Sequence, residues 1–389
     1  MSTKTEVRLG VIGLGNMGSE HIRNIEAGKV ARLRVTAVCD IVPEKLERYK
    51  DKYKCYTSSE ELIRSGEVDA VIVATPHYFH TTIGIDALNN NLHTIVEKPI
   101  SVHKADAEKL IAAHTNKDVV FSAMFNQRTD PHYIKLREII KSGKLGEITR
   151  VNWIITNWFR TQAYYDNGGW RATWKGEGGG VLLNQCPHQL DLMQWLFGMP
   201  KSVRAYCKIG NFHNIEVEDT VTAYLEYPNG ATGVFITTTG EAPGTNRLEV
   251  CGEYGKIVVE YGKIKWTTNV EKQSDFIKTC PNGFASPEHW EVEIPCDGYG
   301  PQHVGILNNF VEAVLDGKEL LAPAEEGINS VELGTSMLYS SFNDVTVQLP
   351  LDGAKYEAML MDLIKNSKST KDINQVAKVV AMNGSYQGK

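Results

Sequence analysis

The chain has 389 residues, 42% of them hydrophobic and 23% charged, which is ordinary for a globular protein and too long for one compact core. A net charge of −6 with no basic face excludes an electrostatic hold on nucleic acid or an anionic membrane, and no apolar run is long enough to span a bilayer. The seven cysteines (Cys39, Cys55, Cys186, Cys207, Cys251, Cys280 and Cys296) are scattered without a Cys-x-x-Cys pair, and no secretory leader precedes the first strand, so reduced thiols in a cytoplasmic protein are expected rather than a disulfide framework or a zinc knuckle.

From Val7 to about Lys141, short apolar runs alternate with amphipathic stretches. The runs Arg8–Ile12, Val35–Asp40, Ala70–Thr75, Thr94–Glu97 and Val119–Met124 read as strands. Helices are expected over Asn16–Ala27, Pro43–Tyr53, Ser58–Ser65, Thr81–Asn90 and His103–Thr115. Strands rich in β-branched residues, each followed by a helix, describe an α/β fold with a parallel sheet covered on both faces. The chain divides near residue 145, and from Thr149 onward the texture changes. Val203–Phe212, Thr220–Tyr227, Ala231–Thr239, Asn246–Cys251, Lys256–Tyr261 and Lys263–Thr268 read as an antiparallel, meander-like sheet. Lys272–Gly300 reads as a long excursion able to cover a pocket. Helices return at Val304–Leu315 and Ala324–Leu338, with a polar tail after Ser367.

The first strand runs into Gly13-Leu14-Gly15-Asn16-Met17-Gly18, which opens the first helix. Gly13 permits a tight turn, Gly15 lets backbone approach a pyrophosphate, and Gly18 allows helix and strand to pack closely, while the helix N-terminus presents free N–H groups. Asp40 ends the second strand 22 residues after Gly18, where an acid can bind the adenosine ribose. Strand, glycines, helix and acid together specify a dinucleotide site. Ile41 and Val42 follow Asp40 with no adjacent cation, which favours NAD over NADP.

Two further segments leave strands where ligands of open parallel sheets bind: Thr75-Pro76-His77-Tyr78-Phe79-His80, and Glu97-Lys98-Pro99. Lys98 reads either as a solvated lysine or as a group that polarises oxygen and moves a proton. Past the boundary, a glycine run from Gly176 to Gly180 leads into Asn184-Gln185-Cys186-Pro187-His188-Gln189-Leu190-Asp191. His188 reads as an acid–base group or as a core histidine bonded to Asp191. Asn184 shares its face only if the helix starts before Pro187. His77, His80, His188 and Asp191 lack further ligands at metal spacing, so no metal is expected.

The combination of GLGNMG, TPxxxH, EKP and the GGG…N-x-x-x-H-x-x-D segment resembles the Gfo/Idh/MocA oxidoreductases, over about Val7 to Leu351. The resemblance implies an NAD-binding Rossmann domain over 1–145 with a doubly wound parallel sheet. An α+β domain with a large, mostly antiparallel open sheet would follow over 146–352, with a helical, polar tail over 353–389. It further implies a homo-oligomer packed through the C-terminal sheet, a dimer or tetramer. Lys98 and His188 would be the catalytic pair. Thr75, Pro76, His77, His80 and Asn126 would line the cofactor together with Gly13, Leu14, Gly15, Asn16, Met17, Asp40, Ile41, Glu97 and Lys98. Asn184 stands where many members carry Asp. An amide orients a hydroxyl but cannot take its proton, which shifts the base role to His188 or Lys98.

The segment preceding and including NQCPHQLD resembles the branch that oxidises carbon 3 of glucosides. Four of the seven Trp fall between Trp153 and Trp174, amid Arg160, Asp166, Asn167 and Arg171. Aromatic faces and fixed polar groups suit a pyranose. Trp153 reads as sheet packing; Trp158, Arg160, Tyr165, Trp170 and Arg171 read as substrate-binding, with His303 a further candidate. The function expected is hydride transfer between NAD and a secondary hydroxyl of a sugar or glycoside. Alternatives are an inositol or polyol dehydrogenase, a redox-neutral glycoside-processing enzyme that retains NAD, and a non-catalytic dinucleotide-binding regulator.

Overall fold

The computed structural model describes residues 5–296, 298–373 and 375. The first sheet holds six parallel strands: β1 (Val7–Ile12), β2 (Leu33–Cys39), β3 (Lys54–Tyr56), β4 (Ala70–Val73), β5 (His93–Val96) and β6 (Phe121–Ala123). Their order, β3-β2-β1-β4-β5-β6, reverses direction between β1 and β4, which opens a crevice at the carboxyl ends of the strands. Every residue of β4 is buried, as a strand covered on both faces requires. The sequence pattern missed β3, because three residues paired with Ala37–Cys39 are too few to display a period. The helix expected over Pro43–Tyr53 is confined to Pro43–Leu46.

The second sheet has nine strands among the described residues: β7 (Ile148–Ile155), β8 (Ser202–Ile209), β9 (Glu218–Glu226), β10 (Thr232–Thr238), β11 (Asn246–Gly252), β12 (Gly255–Glu260), β13 (Lys263–Asn269), β14 (His289–Ile294) and β15 (Val347–Gln348). Its order is β14-β13-β12-β11-β7-β10-β9-β8-β15. Consecutive strands pair antiparallel, but β7 inserts between β10 and β11 and runs parallel to β10, so the sheet is not a simple meander. Trp153 on β7 is fully buried and donates Nε1–H to Asn246 at 3.0 Å, a sheet-packing residue. The excursion at 272–300 is not an unstructured loop: it contains the helix Gln273–Thr279 and the edge strand β14, which pairs with β13.

Two helices, Pro187–Phe197 and Gly327–Asn343, contribute Leu190, Leu192, Met193, Leu333, Met337 and Leu338 to the core beneath the second sheet. Between these two helices in sequence the chain crosses back, for the helix Gln302–Asp316 buries Ile306, Leu307, Phe310 and Val311 in the core of the first sheet. Among the described residues no helix is long and apolar enough to cross a membrane.

The two halves are joined by buried charge. Arg128, 1% exposed and just after β6, donates Nε–H to Asp191 Oδ2 at 2.7 Å and Nη2–H to Oδ1 at 2.6 Å. Its Nη1 reaches Glu326 at 2.6 Å and the Leu321 carbonyl at 3.0 Å. Removing one member of such a pair leaves an uncompensated buried charge. Asp191→Ala should therefore lower unfolding free energy by about 3–5 kcal/mol, read from urea denaturation midpoints. A midpoint equal to wild type would show that the pair holds nothing together.

Candidate functional site

The glycine loop after β1 has the geometry its spacing predicts. Gly13 sits at φ +94°, and a Cβ there would lie 2.6 Å from the Ala74 carbonyl oxygen. A Cβ on Gly18 would come within 1.9 Å of the Gly13 carbonyl oxygen, so helix and turn meet only through glycine. Gly15 faces open space, with nothing within 4 Å of an added Cβ, and it caps the helix Asn16–Glu26. That cleared approach to a helix N-terminus fits a pyrophosphate. Leu14 is fully buried, and its N–H donates to Asp40 Oδ2 at 2.8 Å, tying the loop to the end of β2. Ile41 is 80% exposed beside it. The cation absent from the neighbours of Asp40 in sequence is present in space: Lys45, turned back by the helix Pro43–Leu46, donates to Asp40 Oδ2 at 3.1 Å. Asp40 is therefore not a carboxylate without a nearby cation.

The exits of β4 and β5 are locked to each other. The two His80 ring nitrogens face the carbonyl oxygens of Pro99 (2.7 Å) and Thr75 (2.8 Å), and Lys98–Pro99 is a cis peptide. Glu97 is buried and contacts His21 at 2.7 Å. Burial alone would raise its pKa, but the hydrogen bond and charge of His21, with the charges of His303 and Lys98, bring it down to about 2. The His303 ring meets His21 with centroids 5.6 Å apart, and burial pushes its pKa to about 4.

Lys98 points across the boundary and donates from Nζ to the Asn184 carbonyl oxygen at 2.7 Å. Burial lowers its pKa, opposed by the negative charges of Glu97 and Glu177. The helix of His188 begins at Pro187, so Asn184 lies in the preceding turn and reaches the site through its position in space. His188 is 3% exposed and its Nδ1 has no partner. The bond to Asp191 expected of a core histidine is not formed, since the Asp191 carboxylate is held by Arg128. Burial, followed by the charge of Lys98, holds the His188 pKa well below the usual histidine range.

Glu177, which sequence reasoning passed over as part of the glycine run, is buried here. Its carboxylate accepts from the Asn184 side-chain amide and from the Ala172 N–H at 2.6 Å. His77 Nδ1 faces the Glu177 carbonyl oxygen at 3.3 Å. Tyr164 OH donates to Asn184 Oδ1 at 3.3 Å and accepts from Arg171 at 2.9 Å and Gln185 at 3.2 Å. Arg160 and Arg171 lie 5.1 and 4.8 Å from the Tyr164 ring, and Arg171 lies 4.6 Å from the Trp170 ring. Tyr165, by contrast, turns inward: it is 2% exposed and its hydroxyl pairs with Thr239 at 2.7 Å, so Tyr164 takes the place expected for it. Lys371 steadies this loop, donating to the Tyr165 and Arg171 carbonyls at 2.6 and 3.1 Å. A charged residue enclosed by glycines and the first of two adjacent tyrosines were the signals available for Glu177 and Tyr164.

Several buried polar atoms on these segments lack a protein partner: Thr75 Oγ1, Asn126 Oδ1, Trp158 Nε1, Arg171 Nε, Gln185 Oε1 and His188 Nδ1. Each such atom costs about 1–3 kcal/mol if left unpaired, so their concentration here fits a surface completed by ligands. Asn126 donates its amide to Gln302. Among the described residues, the three-membered group with metal-ligating geometry is His103, Asp106 and Glu357, which includes none of the site histidines.

Residues 7–125 match the family model described as an oxidoreductase family with an NAD-binding Rossmann fold, and residues 133–258 match the GFO/IDH/MocA C-terminal domain. Myo-inositol 2-dehydrogenase of Thermotoga maritima is 27% identical over 341 residues, 84% of this chain and 94% of that one. Inositol 2-dehydrogenase of Salmonella typhimurium is 30% identical over 212 residues, 51% of this chain and 57% of that one. The WlbA dehydrogenase of Chromobacterium violaceum, solved with NADH and UDP-GlcNAcA, superposes with a TM-score of 0.77 at 27% identity, covering 90% of this chain and 98% of that one.

Gly15→Ala adds a methyl group to open space at a backbone of φ −71° and ψ −160° that alanine accepts. It should leave the thermal midpoint unchanged while weakening NAD binding about tenfold or more, about 1.4 kcal/mol. Calorimetric titration with NAD reads the affinity, and an unaltered Kd would remove the loop from the cofactor site.

Proposed function

The chain belongs to the Gfo/Idh/MocA family of oxidoreductases with an NAD-binding fold, and we propose that it moves a hydride between NAD and a secondary hydroxyl of a sugar or polyol. The observation that carries this reading is the meeting of Lys98 Nζ with the Asn184 carbonyl oxygen beside a buried, unpartnered His188 Nδ1. Bound NAD supplies the hydride acceptor. Gly13, Gly15 and the N-terminus of the helix Asn16–Glu26 would hold its pyrophosphate and Asp40 its ribose, and Thr75 and Asn126 offer unpaired oxygens.

Lys98 donates a hydrogen bond to the reacting hydroxyl oxygen and stabilises negative charge developing there. His188 takes the hydroxyl proton on Nδ1, and Asn184 orients the hydroxyl without accepting its proton. Tyr164, Trp158 and Trp170, with Arg160 and Arg171 against their rings, suit the apolar faces and hydroxyls of a pyranose. Within this class we favour carbon 3 of a glucoside, on the likeness of the NQCPHQLD segment; the inositol relatives make a cyclic polyol the second substrate class to test. We place self-association on the second sheet, where Tyr206 and Tyr224 are exposed.

The test is NADH formation from NAD with methyl glucosides, free hexoses and myo-inositol, each mixture also analysed for keto-sugar and released aglycone. NADH with a matching keto product is expected. Cleavage without net NADH would replace this reading with a redox-neutral one, and silence across the panel would favour a dinucleotide sensor.

In that assay Lys98→Ala and His188→Ala should each lower turnover by roughly 100-fold or more while NAD still binds. Near-wild-type rates in either variant would sink the assignment. The base must be neutral to accept a proton, and burial of His188 keeps it neutral to lower pH than a free histidine. The acid limb of kcat/KM for oxidation should consequently lie below about pH 6.5; a limb centred above that value contradicts the role of His188.

A further inference from the structure

The segment that carries Glu177 is built to press it inward. A Cβ on Gly176 would lie 2.4 Å from the Trp170 carbonyl oxygen, and one on Gly178, at φ +83°, would lie 2.1 Å from Val102. With glycine on both sides, the backbone fits between the 170–174 loop and the first half of the chain, where His77 and Tyr78 hold it: Tyr78 OH donates to the Trp174 carbonyl at 2.8 Å. The carboxylate enters a place where burial works against its charge, which a folded protein tolerates when the charge is compensated. The amide hydrogens of Asn184 and Ala172 and the cations Arg171 and Lys98 offset most of that burial, which still leaves the Glu177 pKa raised.

We propose that Glu177 is the positioning carboxylate of this site, supplying from the glycine run the negative charge that Asn184 lacks. It acts in two ways, both resting on the reading of Lys98 as the group that handles the substrate oxygen. It receives the Asn184 amide hydrogen while Tyr164 occupies the amide oxygen, so the amide has one orientation and cannot flip. It also faces Lys98 as a second anion beside Glu97, favouring the charged ammonium in surroundings that disfavour it. The charged and titratable groups facing the cluster are Glu97, Arg160, Arg171, His77, His80, His188 and His303 around Lys98, and Arg171, Lys371, His77 and Glu218 around Glu177. Glu218 is bonded to the Gly180 and Leu182 N–H groups, and Arg171 is shared with Tyr164. Neither Glu97 nor Glu218 touches Asn184 among the hydrogen bonds of the described residues, so of these carboxylates Glu177 is the one bonded to the amide, whose oxygen reaches Arg171 through Tyr164.

The experiment is a two-by-two cycle of Glu177→Gln and Asn184→Asp on the full chain without substrate. It is read by 13C NMR of lysine labelled at Cε, with the Lys98 signal identified by its loss in Lys98→Arg. Glu177→Gln should lower the Lys98 ionisation midpoint by about one pH unit or more. Adding Asn184→Asp, which returns a carboxylate to the opposite end of the same hydrogen bond, should bring it back. A midpoint unchanged in Glu177→Gln, or equally depressed in the double variant, overturns the proposal. Should Glu177→Gln fail to fold, the double variant decides alone, since its charge and atoms are those of wild type with the two ends exchanged. A midpoint within about half a unit of wild type supports Glu177, and a larger fall overturns it. If Lys98→Ala and His188→Ala make NADH at the wild-type rate, the hydride reading fails whatever Lys98 titrates at. If those variants lose turnover and Glu177→Gln leaves Lys98 unmoved, only Glu177 is wrongly assigned.

Discussion

The buried pairing of Arg128 with Asp191 is the constraint on which the site depends. Arg128 leaves the last strand of the first sheet, and Asp191 stands one turn into the helix that carries His188. Two charge-assisted hydrogen bonds fix the angle and depth of that helix against the first sheet more tightly than apolar packing, which tolerates sliding. The pairing also consumes Asp191, and with it the carboxylate that would otherwise be the natural partner of His188. A histidine near a helix N-terminus, dry and unpartnered, is the result.

Around that joint the site is a balance of buried charges rather than a set of solvated ones. Glu97 and Glu177 face Lys98 from opposite halves of the chain, and Arg171 faces Glu177. Burial penalises each ion separately, and each is held by its neighbours. Such an arrangement opposes the effect of burial on Lys98, whose pKa still falls, and leaves the His188 pKa well below the usual histidine range. The aromatic segment from Trp158 to Arg171 belongs to the same balance, since Arg171 lies against the Tyr164 and Trp170 rings as well as facing Glu177.

The cofactor half of the protein was legible in sequence because its rules are local. A tight turn, a cleared approach and a close helix–strand contact each demand glycine at a fixed spacing, and Gly13, Gly15 and Gly18 meet those demands in the structure one by one. The strand exits at Thr75 and Lys98 follow from the same period and topology. What escaped was either too short to have a period, as with β3, or joined at long range. Lys45 reaches Asp40 only after a helical turn, β7 slips between strands that lie far from it in sequence, and Tyr164 rather than its neighbour reaches Asn184.

By itself the sequence determined the alternation of strand and helix, the dinucleotide cradle, the family, and the identity of Lys98, Asn184 and His188 as residues worth watching, because these rest on spacing along one chain. Only the tertiary structure decided whether those residues meet, which partner each has, and which charges surround them. Lys98 and Asn184 are 86 positions apart yet share a hydrogen bond, and Asn184 acquires a carboxylate from Glu177 seven residues earlier. The physical reason is that ionisation and proton transfer depend on distances of a few ångströms and on the exclusion of water, quantities set by how two sheets and their loops pack and not by order along the chain.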